Sequence, residues 1–381
     1  MQLPNYKNGS IVNLMSSITA ARGYKSRYGK LKLINQLKLS KSKNIVLIVI
    51  DGLGYDFFKK HSKSKLLRSC LKGKITSVFP STTAAAISTF RTGLPPSEHG
   101  LVGWFQYFKT VGEICVPLRF CVRGKENVKV KYNFLSGIKS VFQLIKTKSC
   151  LVLPKIISNT KFTKELIGKA KIMSYTTPVG FFRQIKKAIF SSKKRKYIYA
   201  YWPEFDGICH EYGKNHKLSI KYYLAFEQYI ESFLMSIKST DSTVIITADH
   251  GQMQTTKAKA LYLKNYPEIK KTLSKPFSGE PRAVYCYVKS GKDNEFIAAV
   301  KKNLKNKCQI IKSDELIKRN FFGLKKINPK LKNRVGDYTL IMKGNYIFKD
   351  FVKGEKRHFN YGNHGGVSSE EMFVPLIYYS D

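Results

Sequence analysis

The chain is short of acid, of cysteine pairs and of long apolar runs. Only 25 of its 381 residues are Asp or Glu, against 68 Lys or Arg, which gives a formal net charge of +43. The seven cysteines (Cys70, Cys115, Cys121, Cys150, Cys209, Cys286 and Cys308) are odd in number, and no two are spaced as CxxC. A disulfide framework and a thiolate zinc site are therefore not expected, and reduced structural thiols fit better. The longest apolar run, Ile45 to Ile50, is far shorter than the roughly 20 residues that span a bilayer. The first thirty residues lack a continuous apolar stretch, so no standard signal peptide is read. A cytoplasmic location is expected, with export by a signal-independent route as the alternative.

What is present describes a globular protein. Hydrophobic residues make up 43% and aromatics 13%, enough to build a large core in one or two domains. The excess charge is read mainly as compositional drift in a Lys-, Ile- and Asn-rich chain, with a general attraction for anionic substrates. Short basic runs, Lys193 to Lys196 and Lys325 to Lys332, accompany no nucleic-acid motif. A basic nucleic-acid-binding protein stands as the competing class.

Four segments read as strands of a parallel sheet. Asn44–Ile50 is apolar throughout, as a strand buried on both faces must be. Lys74–Phe79, Lys196–Trp202 and Ser242–Thr247 follow the same logic. Between them lie a helix starting near Ser81-Thr82-Thr83, whose hydroxyls suit a cap, and a second from His216 to Ile237. The alternation predicts a doubly wound, mostly parallel α/β sheet with helices on both faces. Residues 262–344 differ, with expected strands at Arg282–Val288 and Arg334–Met342 and a helix over Asn294–Leu304. They read as a smaller inserted subdomain between 1–261 and 345–381. Met372 to Tyr378 is expected to return to the main sheet.

Polar residues gather where these strands end. Asp51 follows the first. Asp206 and His210 follow the third, four residues apart, and Asp249-His250 follow the fourth. His364 sits in a glycine-rich turn. Ligands of open α/β sheets bind at the carboxyl ends of strands. Carboxylate and imidazole together suit Zn²⁺, and two such ions about 4 Å apart clamp the attacking and leaving oxygens of a displacement at phosphorus. Any one of these features alone is commonplace; four of them at successive strand ends or tight turns are not.

Phe79-Pro80-Ser81-Thr82-Thr83, followed by TGLPPSEHG from Thr92 to Gly100, resembles the nucleophile segment of the alkaline phosphatase superfamily. More narrowly, it resembles the nucleotide pyrophosphatase/phosphodiesterase branch and its bacterial relatives. YWPEFDGICHEYG (Tyr201–Gly213), TADHGQM (Thr247–Met253), GEPRAVYCYV (Gly279–Val288), RVGDYTLI (Arg334–Ile341) and NHGG (Asn363–Gly366) extend the resemblance over nearly the whole chain.

The resemblance implies one metal on Asp206, His210 and His364. It implies a second on Asp51, Asp249 and His250 together with the nucleophile Thr83. The implied reaction is two-step hydrolysis of a phosphodiester or pyrophosphate, nucleotide-type substrates included, through a phospho-threonine that metal-activated water then releases. Thr82 is the competing nucleophile. Thr83 is preferred because it stands nine residues before Thr92, the spacing of that family. Where better-known members carry an asparagine after the HG turn, this chain has Trp104, which is assigned to substrate binding by stacking or by its indole N–H. Tyr55, Phe79 and Tyr107 are weaker candidates for pocket walls. Phosphomonoester or phosphonate hydrolysis on the same metals is the alternative activity.

Overall fold

A computed structural model describes residues 1–324 and 326–380. Lys325, the first residue of one basic run, and Asp381 lie outside the described residues. The central sheet has seven strands: β1 (Asn44–Ile50), β2 (Leu71–Thr76), β3 (Lys148–Pro154), β4 (Lys171–Tyr175), β5 (Lys196–Trp202), β6 (Ser242–Thr247) and β7 (Phe373–Ser380). Their order is β2-β7-β6-β1-β5-β3-β4. β6, β1, β5, β3 and β4 pair in parallel, and β7 runs antiparallel to both neighbours. All seven residues of β1 are buried, which is why that strand carries no polar alternation. The sheet is thus mixed, and the α/β architecture is as the pattern predicts.

The local chemistry explains the helices that flank the site. Helix α1 (Thr83–Thr92) begins after Thr82 in an extended cap conformation and ends at Gly93, whose φ of 71° no side chain favours. Helix α2 (Pro178–Phe190) starts with proline after Thr177, whose hydroxyl accepts from the Gly180 amide. Helix α3 (Glu204–Tyr212) carries Asp206 and His210 one turn apart. In α4 (Lys217–Ser236), Tyr223, Phe226, Ile230, Phe233 and Leu234 repeat at helical spacing and are buried.

Several details differ from expectation. The strand expected at Arg334–Met342 begins only at Tyr338, because Arg334 closes a helical turn, and that expected at Arg282–Val288 is shortened to Ala283–Cys286. The strand placed at Lys74–Phe79 is β2, three residues earlier at each end. Its ladder with β7 stops at the Thr76–Phe373 pair; beyond it, the Ser77 amide turns to Met372 O. β3 and β4 were not read from the sequence. Nor was the four-stranded antiparallel meander at 106–108, 113–116, 121–122 and 125–129, because its strands are too short to show a period.

Residues 278–280, 283–286, 308–312 and 338–342 form a further antiparallel sheet packed on the helix Asp293–Leu304, with its own apolar cluster. It joins the main sheet through a buried ion pair. Arg282 Nη2 lies 2.8 Å from Glu371 Oε2, with 1% and 0% of the two side chains exposed. Glu371 also accepts from the Gly366 amide at 2.8 Å, next to His364. Nε donates to Glu371 Oε1 at 3.0 Å, and Nη1 donates to Gly344 O and Tyr346 O. Arg282→Met strands a buried carboxylate, so it is expected to lower the unfolding free energy by about 3–5 kcal/mol. A urea titration reads this as an earlier midpoint.

Candidate metal centre and active site

The carboxyl ends of β1, β5 and β6 bring the predicted residues together. Asp51 and Asp249 follow β1 and β6 directly or within two residues, and Asp206 lies in the first turn of α3 after β5. His364 arrives on the turn before β7. Two groups form: Asp51, Asp249 and His250, and Asp206, His250 and His364, with ligand atoms inside each group within 4.8 Å of one another. His250 belongs to both. His210 stands beside the second group, its Nε2 3.1 Å from Asp206 Oδ2.

The surroundings orient these side chains. His210 Nδ1 is 2.7 Å from Gly362 O, and His250 Nδ1 is 3.0 Å from Gly251 O. A carbonyl only accepts, so each Nδ1 carries the proton and each Nε2 is left as a lone-pair donor. The amides of Gly52 and His250 both donate to Asp249 Oδ1, at 3.1 and 2.9 Å. Tyr201 OH donates to Asp51 Oδ2, and Gln252 Nε2 donates to Asp206 Oδ1. Gly251 allows the close approach behind this turn, since a Cβ there would lie 2.0 Å from Glu370 O.

The electrostatics ask for cations. Burial first, and then repulsion from Asp249 and Asp206, pushes the Asp51 carboxyl well up; burial also raises Asp249. For Asp206 burial opposes ionisation, but His210, His364 and His250 outweigh it and hold the carboxyl low. Burial pushes His364 down, keeping it neutral. Asp51 Oδ1 and Asp249 Oδ2 are buried without a hydrogen-bond partner. Unpartnered buried carboxylate oxygens close to histidine side chains fit divalent ions.

The two candidate hydroxyls part company. Thr82 is fully buried and donates to Glu280 Oε1 at 2.6 Å. Thr83, the first residue of α1, has its Oγ1 3.1 Å from His250 Nε2 and faces a cleft of about 970 Å³. That cleft is also lined by Trp104, Asp206, His210, Glu280 and His364. The meander covers it from above, where the Arg119 guanidinium lies 5.6 Å from the Trp104 ring. A separate cavity of about 530 Å³, between segments 262–276 and 349–359, contains none of these residues. Phe79 is packed against Phe321 and Phe322, and Tyr107 sits on Tyr287; neither they nor Tyr55 line the cleft.

The model of the family described as "Type I phosphodiesterase / nucleotide pyrophosphatase" matches residues 45–367. The chain belongs to this family. It is a hydrolase of the nucleotide pyrophosphatase/phosphodiesterase type. Solved structures share the fold at low identity. Murine ectonucleotide pyrophosphatase/phosphodiesterase 5 is 17% identical, with 87% of each chain covered and a TM-score of 0.68. The human protein of the same name is 17% identical over 88% of this chain and 87% of that one, at 0.67. Phosphonoacetate hydrolase from Sinorhizobium meliloti, bound to phosphonoformate, is 17% identical over 88% and 90%, at 0.65. No curated protein matches the chain by sequence.

Within this family member, two roles escaped the sequence. Glu280 comes from the small antiparallel sheet and accepts from Thr82 Oγ1 and from the Trp104 amide, both at 2.6 Å; burial pushes its carboxyl up to about 7. Its signal was a lone carboxylate in the otherwise mostly apolar GEPRAVYCYV. Gly279 beside it has φ +84°, and a Cβ there would lie 2.4 Å from Ala283 O.

His99, in the EHG turn, is structural. Its Nδ1 accepts from the Leu101 amide at 3.1 Å and Nε2 faces Thr89 Oγ1 at 3.2 Å. Burial, with Arg334 adding to it, pushes His99 down to about 3. Unfolded His99 takes up a proton below its ordinary value near 6.5, and folded His99 does not. Stability is therefore present above that pH and is lost as pH falls below it, by roughly 1.4 kcal/mol per pH unit from this residue. His99→Gln is expected to remove that slope from the pH dependence of urea unfolding between about pH 6 and 5.

Proposed function

We propose that this hydrolase cleaves phosphodiester or pyrophosphate bonds of nucleotide-type substrates by attack of Thr83 on phosphorus, with two zinc ions at the site. The observation that carries the reading is the placement of Thr83 Oγ1, open to the cleft and 3.1 Å from the shared ligand His250, while the Thr82 hydroxyl is committed to Glu280. Asp51, Asp249 and His250, with Thr83, would hold one ion; Asp206, His210 and His364 would hold the other. Bound there, the ions supply the positive charge that lowers the pKa of a hydroxyl and offsets charge on the phosphoryl oxygens.

The chain's own groups do the rest. The amino end of α1 presents its backbone amides and a positive dipole end to the phosphoryl group. Attack forms an O–P bond to Thr83 and releases the first alcohol or phosphate; water then releases the second product and restores the hydroxyl. Glu280 fixes Thr82 and the Trp104 amide, and so sets the wall beside the nucleophile. The Trp104 indole is suited to stacking on a base or aryl group. Residues 262–344 are read as an insert whose task at the site is to deliver Glu280. A murine relative described as an inactive threonine-to-alanine variant, in complex with AMP, supports both a threonine nucleophile and a nucleotide product.

Phosphonate hydrolysis is the second reading, favoured by the shared fold of phosphonoacetate hydrolase and by Trp104 where an asparagine is usual. Rates on bis-p-nitrophenyl phosphate, p-nitrophenyl phosphate and phosphonoacetate separate the two. The diester is expected to be fastest. A clear preference for the monoester or the phosphonate would overturn the assignment.

A further inference from the structure

The catalytic cleft uses the carboxyl ends of the parallel strands. Their amino ends, on the opposite side of the molecule, carry a different chemistry. The five segments that lead into β1, β3, β4, β5 and β6 are 41–43, 146–148, 169–171, 193–196 and 238–241. Together they hold eleven Lys or Arg and a single acid, Asp241. The whole chain has 68 to 25, so this end is several times richer in unopposed cations than composition alone provides.

Parallel pairing forces the gathering. Asn44 is in register with both Lys196 and Ser242, and Lys148 with Lys196. Lys196 is buried, and its Nζ donates to Ile189 O and Ser192 O. Lys43 and Lys148, after the effect of burial, depress its charged form further, so these cations are near neighbours. Lys43 is half-buried, and the other nine basic side chains are exposed; none of the nine makes an ion pair among the described residues.

Exposed apolar side chains sit at the same end. Phe190, at the last turn of α2 and immediately before the 193–196 run, is 61% exposed; Leu37, in the helix Gln36–Lys41 that leads into β1, is 64% exposed. Apolar side chains such as these gain nothing on a phosphate backbone, but they partition into the headgroup boundary of a bilayer. Lysines around them gain from an anionic lipid surface, and that gain is screened by salt. No helix among the described residues is long and apolar enough to cross a membrane.

We propose that the amino-end face of the central sheet docks on an anionic lipid surface, leaving the catalytic cleft turned toward solution. The face is defined by the pairing of five strands, and it is independent of the reaction assigned to the cleft.

Sedimentation of the full chain with phosphatidylcholine vesicles, with and without phosphatidylglycerol, tests it. Binding is expected only to the anionic vesicles and only at low salt. The triple variant Lys193→Glu, Lys194→Glu, Arg195→Glu is expected to bind at least about tenfold more weakly. A triple reversal of equal charge elsewhere, Lys301→Glu and Lys302→Glu in the helix Asp293–Leu304 and Lys264→Glu in the short turn Leu263–Asn265, is expected to bind as the parent does. Equal losses from both triples would mean that total charge, and not this face, governs binding, and would overturn the proposal. So would tighter binding to a duplex oligonucleotide than to anionic vesicles at equal phosphate concentration.

Discussion

Thr83→Ala is expected to lower kcat for bis-p-nitrophenyl phosphate by at least about three orders of magnitude, because the hydroxyl removed is the group that bonds to phosphorus. The fold has little reason to respond. Thr83 is only partly buried, its hydroxyl has one protein contact, and alanine favours the first turn of α1. The stability of the metal-free protein should therefore stay near the parent value while turnover falls. Thr82→Val makes the contrast. It leaves the Glu280 carboxylate with one donor fewer in a buried place, so it is expected to cost about 1–3 kcal/mol of stability. Its kcat should fall far less than that of Thr83→Ala. Rapid acid quench of the parent turning over bis-p-nitrophenyl phosphate, followed by peptide mass analysis, should find the added p-nitrophenyl phosphoryl mass on the peptide carrying Thr83. If Thr82→Val is the inactive variant, or the label sits on Thr82, the assignment of the nucleophile is wrong.

Dialysis against a strong chelator is the second large effect. Activity should disappear and return on adding Zn²⁺, and the melting temperature should drop by several degrees. A ligand present at a thousandfold excess over its Kd contributes about 4 kcal/mol to the folded state. Stripped protein keeps Asp51, Asp249 and Asp206 buried side by side. The raised carboxyls of Asp51 and Asp249 then hold protons that the unfolded chain releases. The stripped protein's stability should accordingly fall as pH rises above the ordinary carboxylate range, whereas the metal-loaded protein should not show that fall. Full activity after exhaustive chelation, with no metal detected by emission spectrometry, would remove the two-ion reading altogether.

Much of the architecture is legible in the chain because parallel strands buried on both faces must be apolar throughout. Asn44–Ile50, Lys196–Trp202 and Ser242–Thr247 are strands with the ends expected of them. The meander over 106–129 was not legible. Its strands have two to five residues, and their stability comes from packing above the cleft, not from a repeating pattern. The strand after Leu71 was misplaced because its limits are set by its partner β7, which lies some 300 residues away in sequence.

The sequence by itself determined the chemistry on offer: three aspartates and three histidines at strand ends and one turn, and two adjacent threonines at the start of a helix. A strand-to-helix junction places such groups at one edge of a sheet whatever follows later in the chain. Tertiary structure alone decided how they meet. His250 is shared between two ligand groups because β1, β5 and β6 lie side by side. The Thr82 and Thr83 hydroxyls face different partners because Thr82 is an extended cap residue and Thr83 the first residue of the helix, and Glu280 arrives from a distant sheet to take only one of them. The lysines at the far end were scattered in sequence, and parallel pairing gathered them onto one face.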